Sequence, residues 1–306
     1  MSDVGAIVTV PPHARFLREV ARHPLVRGLR LNTVMPIAGS LEATLERLAG
    51  LGQPLFIDLK GRQLRVKEAA VPPFTEVRLT HRVRRLATPC RAYFSDGRES
   101  ALVLACEGDR LILEDGPRRV VGPGESVNIP DGGLEVDGVL TEKDEEYVKT
   151  ARALGLHDYM LSFTESPADV AALRALDPDA RIVSKIESRQ GLACALEGSL
   201  AREGDRLMAA RGDLFVELKP HELPGALRAL VAADEGAILA SRLFPSLATA
   251  LEPSAQDVTD AAFCLELGYR TLMLGDEVCL RRESVLSALN LLDALIGETH
   301  HSAVRS

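Results

Sequence analysis

The chain has 306 residues, 46% of them hydrophobic, which is long enough for one large domain with a small insertion. Its formal net charge of −8 argues against nucleic-acid binding, because contact with phosphates needs a basic surface. Five scattered cysteines without a C-x-x-C pair predict a reduced, cytoplasmic protein. The sequence shows no secretion signal and no apolar run of roughly 20 residues, so we expect neither export nor a membrane span.

Apolar or β-branched runs alternate along the chain with segments of helical period. The predicted strands are 6–10, 26–32, 54–59, 157–163, 181–187, 205–211, 237–241 and 269–275. The predicted helices are 14–22, 40–48, 142–154, 167–175, 190–200, 221–233, 255–267 and 283–296. Ser40 and Thr141 are placed to cap two of them. This alternation requires parallel pairing and predicts an α/β protein with a closed (β/α)8 TIM barrel; an open doubly wound sheet is the alternative.

A long interruption separates the third strand from its helix. It is rich in proline, glycine and short β-type runs, and a small all-β domain inserted after the third strand explains it better than a structureless loop. We therefore expect a barrel formed by 1–65 and 140–298, a small β lid over 66–139, and a flexible polar tail over 299–306.

Polar residues end several of the predicted strands, at the face of a barrel where catalytic groups lie. They are Arg30 and Asn32 in the second strand, Asp58, Lys60 and Arg65 after the third, Lys185 and Glu187 in the fifth, and Asp213 after the sixth. Lys185 and Glu187 share one face of their strand, and Asp213 is placed to join Glu187 on a divalent ion. The alternatives are an internal ion pair between Lys185 and Glu187 and a turn or helix cap at Asp213. Carboxylates for a metal beside cations for an anion favour an active site.

Two segments carry a family resemblance. SKIES at 184–188 and MAARGDLFVEL at 208–218 resemble the SKIE and ARGDLG signatures of the pyruvate kinase family. GLRLN at 28–32, IDLKGRQLR at 57–65 and LMLGDE at 272–277 are similar to further segments of that family in the same order. The resemblance extends over nearly the whole chain. It implies a barrel that works on phosphoenolpyruvate with Mg²⁺, and a C-terminal effector domain of typical members is expected to be absent.

The resemblance also implies roles for individual residues. It assigns phosphoenolpyruvate binding to Arg30, Lys185, Gly212, Asp213 and Ser241. Among these, Lys185, Arg30 and Ser241 would be catalytic, with Arg30 and Lys185 holding the phosphoryl group. Glu187 and Asp213 would ligate Mg²⁺, and the backbone at Gly212 and Asp213 would meet the substrate carboxylate.

Two parts of the family pattern are altered. Asn32 and Asp58 match positions of a K⁺ site, but Val34 and Met35 stand where the family has serine and histidine, so that site is incomplete. Arg65 matches a contact to nucleotide phosphates. Where the family has a lysine for the same phosphates, this chain has a glutamate at position 125. Repulsion there should weaken nucleotide binding unless another cation compensates.

Three functions remain open. The first is phosphoryl transfer between phosphoenolpyruvate and ADP or ATP, altered or weak in nucleotide use. The second is a Mg²⁺-dependent lyase or decarboxylase that works through a pyruvate enolate, for which Lys60 and His157 are the candidate bases. The third is a non-catalytic descendant that binds phosphoenolpyruvate. We expect a small-molecule ligand, a homo-oligomer as one option, and neither nucleic acid nor a membrane as partner.

Overall fold

The computed structural model describes residues 4–95, 97–130, 133–200 and 203–304. The strands in these ranges are β1 (Gly5–Thr9), β2 (Val26–Asn32), β3 (Leu55–Leu59), β4 (Glu76–Arg85), β5 (Cys90–Phe94), β6 (Glu99–Leu113), β7 (Val127–Asn128), β8 (Glu135–Val136), β9 (Asp158–Leu161), β10 (Arg181–Ile186), β11 (Arg206–Ala210), β12 (Ile238–Ala240) and β13 (Thr271–Leu274). The α-helices are α1 (Leu17–Ala21), α2 (Leu41–Ala49), α3 (Glu142–Ala153), α4 (Pro167–Leu176), α5 (Arg189–Leu196), α6 (Arg211–Glu217), α7 (Leu223–Ala233), α8 (Ala255–Glu266), α9 (Asp276–Cys279) and α10 (Arg282–Val304).

Eight of the described strands close into a parallel barrel in the order β1-β13-β12-β11-β10-β9-β3-β2. Closure is made by β1, which pairs in parallel with β2 on one side and with β13 on the other, where Gly5 lies opposite Thr271. The ring therefore has no free edge. The predicted (β/α)8 class is confirmed, and the open doubly wound sheet is excluded.

The pleat of β10 explains how charged side chains reach the inside of this barrel. Val183 packs in the cluster that fills the barrel interior, whereas Ile182 and Ile186 belong to the larger core between the strands and the helices. Side chains alternate along a strand, so Lys185 points to the same side as Val183, and Glu187 follows it. The period of two residues thus brings a lysine and a glutamate to the C-terminal mouth of the barrel.

A second, antiparallel sheet interrupts the barrel between β3 and α3. Its strand order is β7-β5-β6-β4-β8, and it has a hydrophobic core of its own, built around residues such as Phe94, Val103 and Leu111. The predicted all-β insertion is confirmed. The lid strands fall between Glu76 and Val136, and we keep 66–139 as the proposed extent of the lid domain and 1–65 with 140–298 as that of the barrel.

The structure differs from the predicted elements directly after β11. β11 ends at Ala210, and the residues after it form α6, so Asp213 lies in the first turn of a helix. A carboxylate is favourable there because of the helix dipole. The Asp213 side chain does not cap this helix; its hydrogen bonds go to Gln63 and Asn128.

The last helix is longer than predicted. Where we expected a polar tail over 299–306, the backbone of α10 is helical to Val304, since no proline interrupts it. Residues 305 and 306 lie outside the described ranges. No helix in the described part of the chain has the length and apolar character needed to cross a bilayer.

Candidate active site

A cavity of about 730 Å³ lies between the C-terminal ends of the barrel strands and the lid. Its lining includes these predicted site residues: Arg30, Asn32, Arg65, Lys185, Glu187, Gly212, Asp213 and Ser241. Residues that are far apart in the sequence therefore meet at one mouth of the barrel. Asp58 is fully buried, in contact with the side chains of three lining residues, Arg30, Lys60 and Lys185.

Asp58 is the counter-ion of this cluster of cations. Its Oδ2 accepts a hydrogen bond from Arg30 Nε at 2.9 Å and lies 3.2 Å from Lys60 Nζ, while its Oδ1 lies 3.4 Å from Lys185 Nζ. Burial opposes ionisation, but the neighbouring charges of Lys185, Lys60 and Arg30 hold the pKa of Asp58 well below its usual value. An ionised Asp58 keeps these cations in place at the floor of the cavity.

Asp276, a residue not singled out from the sequence, contacts both polar residues at the end of β2. Its Oδ1 accepts from Arg30 Nη1 at 3.1 Å, and its Oδ2 accepts from Asn32 Nδ2 at 2.9 Å. Asp276 follows β13 and opens α9. The available signal was its position at the end of the eighth strand, where a carboxylate repeats the pattern seen in the other strands.

The two residues matched to a K⁺ site do not fit that ion in this structure. Asn32 Oδ1 accepts from the backbone N–H of Val34 at 3.2 Å, and Asn32 Nδ2 is a donor to Asp276. Both oxygens of Asp58 already face cationic side chains. A further cation would be repelled by the charges of Arg30, Lys60 and Lys185, so we assign no K⁺ here.

Glu187 and Asp213 form the part of the lining that fits a divalent cation. Glu187 Oε1 lies 3.0 Å from Lys185 Nζ, and its Oε2 accepts from the backbone N–H of Phe163 at 2.7 Å. Burial and the nearby charge of Glu187 raise the pKa of Asp213 to about 6. Two buried carboxylates that repel each other at the wall of an open cavity suit Mg²⁺, which binds carboxylate oxygens and water.

Lys185 lies between these carboxylates and Asp58. Its Nζ donates to Ser162 Oγ at 2.7 Å in addition to its ion pairs. Burial disfavours the charged amine, but Asp58 and Glu187 together raise the pKa of Lys185 above its usual value. The ammonium group is therefore a permanent positive charge at the cavity wall.

Two amide side chains support Asp213 and were not predicted. Asn128, which returns from the lid in β7, donates to Asp213 Oδ1 at 3.0 Å and to Glu217 Oε1 at 3.4 Å, and Gln63 donates to the same Asp213 oxygen at 3.4 Å. Burial raises the pKa of Glu217 to about 8. Neither amide carries a charge or ends a barrel strand, so the sequence offered little signal for them.

On the lid side of the cavity, the negative charge of Glu125 is compensated by an arginine. Arg119 donates from Nη1 to Glu125 Oε2 at 3.0 Å and from Nη2 to the other oxygen, and Ser95 Oγ donates to Oε1 at 2.8 Å. Burial opposes ionisation, but these donors lower the pKa of Glu125. Arg119 thus supplies a compensating cation that the sequence could not locate. Glu125 itself lines the cavity together with Arg65 and Arg98.

The two candidate bases lie at opposite ends of the barrel. Lys60 lines the cavity, and burial, helped by the charges of Arg65, Lys185 and Arg30, lowers its pKa to about 7 against the opposing effect of Asp58. His157 precedes β9 at the other end of the barrel, where its Nδ1 lies 2.8 Å from Asp177 Oδ2. Its position supports a packing role.

Comparison with known proteins places these features in context. Residues 57–280 match the family model "Pyruvate kinase, barrel domain". A pyruvate kinase of Methanocaldococcus jannaschii is 26% identical over 98% of this chain and 71% of its own length. Pyruvate kinases of Corynebacterium efficiens and Mycobacterium tuberculosis are each 31% identical, over 63% and 67% of this chain, which spans only 42% and 44% of their lengths.

Proposed function

The chain belongs to the pyruvate kinase family, and we propose that it transfers a phosphoryl group between phosphoenolpyruvate and a nucleoside diphosphate, with pyruvate as the other product. The observation that carries this proposal is the convergence of Arg30, Lys185, Glu187 and Asp213 on one cavity. This set combines fixed positive charge for a phosphate with a pair of carboxylates for Mg²⁺, which is what phosphoryl transfer requires.

Each of these residues has a defined task in the proposed reaction. Arg30 and Lys185 bind the phosphoryl oxygens, and both are held by Asp58, so little reorganisation is needed as charge develops. Glu187 and Asp213 would hold Mg²⁺, which when bound would neutralise developing negative charge on the substrate. Because Lys185 Nζ lies 3.0 Å from Glu187, a proposed Mg²⁺ ligand, we propose that its charge also stabilises the enolate.

The remaining residues orient the carbon end of the substrate. Backbone N–H groups at Gly212 and Asp213, in the first turn of α6, are proposed to bind the carboxylate, because the start of a helix attracts anions. Ser241 lies beside them: a methyl group added to Gly212 would be 3.5 Å from Ser241 Oγ. We propose that this hydroxyl faces the enolate carbon.

The acceptor is proposed to be a nucleoside diphosphate bound at Arg65. The compensation of Glu125 by Arg119 supports this assignment, since it removes the repulsion that the sequence alone suggests. Arg98 is already paired with Glu277 across the lid and barrel, with Nη2 to Oε1 at 2.7 Å. We therefore propose lower nucleotide affinity than a lysine at position 125 would provide.

We also propose that the protein acts in the cytoplasm and can form a homo-oligomer.

A second candidate is enolate chemistry without a nucleotide. The observation that favours it is Lys60, an amine with a pKa near 7 in the cavity wall. Such a group can take up or release a proton at neutral pH. A non-catalytic phosphoenolpyruvate-binding protein is the least favoured candidate, because the carboxylates and cations of the reaction are all present in the cavity.

A coupled assay for pyruvate release separates the three functions. It is run on phosphoenolpyruvate and on a 2-oxo diacid, each with and without ADP and Mg²⁺, in K⁺ and in tetramethylammonium buffers. We expect release that needs both ADP and Mg²⁺ and that does not need K⁺. Turnover without ADP would support enolate chemistry instead, and binding of phosphoenolpyruvate without turnover would support the non-catalytic alternative.

A further inference from the structure

Arg211, the first residue of α6, is a buried arginine that does not line the cavity. Two of its nitrogens donate to one acceptor, the backbone carbonyl of Ser241, from Nε at 3.1 Å and from Nη2 at 2.8 Å. Its third nitrogen, Nη1, donates to Asp260 Oδ1 at 2.7 Å and contacts Cys264 Sγ at 3.4 Å. The guanidinium is therefore fixed by α8 on one side and hydrogen-bonded to the chain after β12 on the other.

The segment after β12, to which Arg211 is hydrogen-bonded, has an unfavourable backbone conformation. Ser241, Arg242 and Phe244 have φ angles of 69°, 57° and 52°. Residues with a Cβ atom rarely adopt this left-handed region, and such residues persist only when their surroundings hold them. Three of them within four positions need an external restraint. Phe244, fully buried, anchors one end of the turn, and Arg211 anchors the Ser241 end.

The position of this turn connects it to the cavity. Ser241, Arg242 and Leu243 all contribute to the cavity lining, directly after the three-residue strand β12. A shift at the Ser241 carbonyl would move the Ser241 hydroxyl with it, since the two groups belong to the same residue. The restraint on the carbonyl is thus also a restraint on the hydroxyl that faces the proposed substrate.

We propose that Arg211 is a positioning residue that holds the left-handed turn and so fixes the Ser241 hydroxyl at the reacting carbon. This inference rests on the proposed function, because the contact of Ser241 with substrate is part of it. Arg211 acts through Ser241 and does not touch the substrate. A lysine cannot replace it, because one ammonium group cannot donate twice to the carbonyl and also reach Asp260 in the same planar geometry.

A double-mutant cycle tests this coupling. We expect Arg211→Lys to lower kcat by about 10- to 100-fold with little change in the KM for phosphoenolpyruvate, since only the geometry of the reacting end is lost. If Arg211 works through Ser241, the double variant Arg211→Lys/Ser241→Ala should be no slower than Ser241→Ala alone. Independent losses that multiply in the double variant would overturn the proposal.

Two further variants act as controls. Arg174→Lys alters a similar ion pair, with Asp205, away from the cavity lining, and should leave kcat unchanged. Asp260→Asn keeps an acceptor for Arg211 and should show the Arg211→Lys pattern in weaker form, which keeps the test decisive if Arg211→Lys does not fold. Full activity in Asp260→Asn together with a non-folding Arg211→Lys would assign Arg211 to packing alone.

Hydrogen exchange gives a readout that does not depend on turnover. In Arg211→Lys, the backbone amides of residues 241–247 should exchange faster than in the wild type, while those of β10 and β11 stay protected. This result would stand even if the wild type did not turn over phosphoenolpyruvate, so failure of the positioning role of Arg211 and failure of the proposed function are distinguishable. Unchanged exchange over 241–247 would contradict the proposal that Arg211 holds the turn.

Discussion

At the scale of single residues, the cavity is organised around one buried carboxylate. Asp58 faces Arg30, Lys60 and Lys185, so three cations that would repel one another are kept together. The sequence indicated the members of this group because each one ends or follows a strand. It did not indicate their pairing, since Asp58 matched a K⁺ ligand and the partners lie on strands that only the closed barrel brings together.

The first prediction concerns Lys185. Lys185→Met should lower kcat by about 10³-fold, because a fixed charge at the developing oxyanion is lost. It should also lower the free energy of unfolding by about 3 kcal/mol, because Asp58 and Glu187 lose a buried partner. Steady-state kinetics and urea titration measure the two effects. Lys149→Met, which removes an exposed pair with Glu145, is the matched control and should change neither by much.

The second prediction concerns the proposed nucleotide-binding side of the cavity. Arg119→Ala should raise the KM for ADP about tenfold, equal to about 1.4 kcal/mol, because Glu125 is left uncompensated beside the phosphates. The KM for phosphoenolpyruvate should not change. Removing both charges in Arg119→Ala/Glu125→Ala should restore most of the ADP affinity; a double variant as weak as Arg119→Ala would show that repulsion is not the cause.

At the scale of elements, the residue that completes the cap of α3 also holds the chain beside the cavity. Thr141 caps α3 as predicted, and Asp144 completes a capping box with it. The same Asp144 carboxylate accepts the backbone N–H of Lys60 at 2.8 Å and of Gly61 at 3.2 Å. The cap was predictable because it is local. The contact with the chain after β3 was not, because it joins residues on either side of the lid.

The third prediction follows from this double task. Asp144→Ala should lower the free energy of unfolding by about 2 kcal/mol through loss of the cap and of the two backbone bonds. It should also raise the KM for phosphoenolpyruvate, because the Lys60 backbone is released. Asp257→Ala removes the equivalent residue of the capping box at α8. It should cost similar stability and leave KM unchanged; equal KM values in both variants would refute the link.

The fourth prediction concerns α6 and pH. Burial raises the pKa of Glu217 from 4.5 to about 8. Between these values the folded protein keeps a proton that the unfolded chain has released, so stability falls as pH rises through this window. Glu217→Gln cannot lose that proton. Its melting temperature should match the wild type near pH 4 and exceed it at pH 9. The surface variant Glu235→Gln should follow the wild-type profile; identical profiles for Glu217→Gln would contradict the prediction.

At the scale of the whole molecule, the sequence predicted the architecture well. Alternating apolar runs and helical periods gave the eight-stranded barrel, and the long interruption after the third strand gave the inserted lid, because both are local patterns of composition. The contribution of the lid to the site was not predictable. Asn128 reaches Asp213 only because the lid folds back over the barrel mouth. The pairing of Arg119 with Glu125 is made within the lid, by two residues that no strand-end pattern brings together.

The central claim is that Glu187 and Asp213 hold a divalent cation beside phosphoenolpyruvate bound by Arg30 and Lys185. Titration with Mn²⁺, followed by electron paramagnetic resonance with and without phosphoenolpyruvate, measures this without reference to the acceptor. We predict one tight Mn²⁺ per chain whose affinity rises when phosphoenolpyruvate is present, and loss of that site in Asp213→Asn. Mn²⁺ binding that is indifferent to phosphoenolpyruvate, or that is retained in Asp213→Asn, would contradict the account.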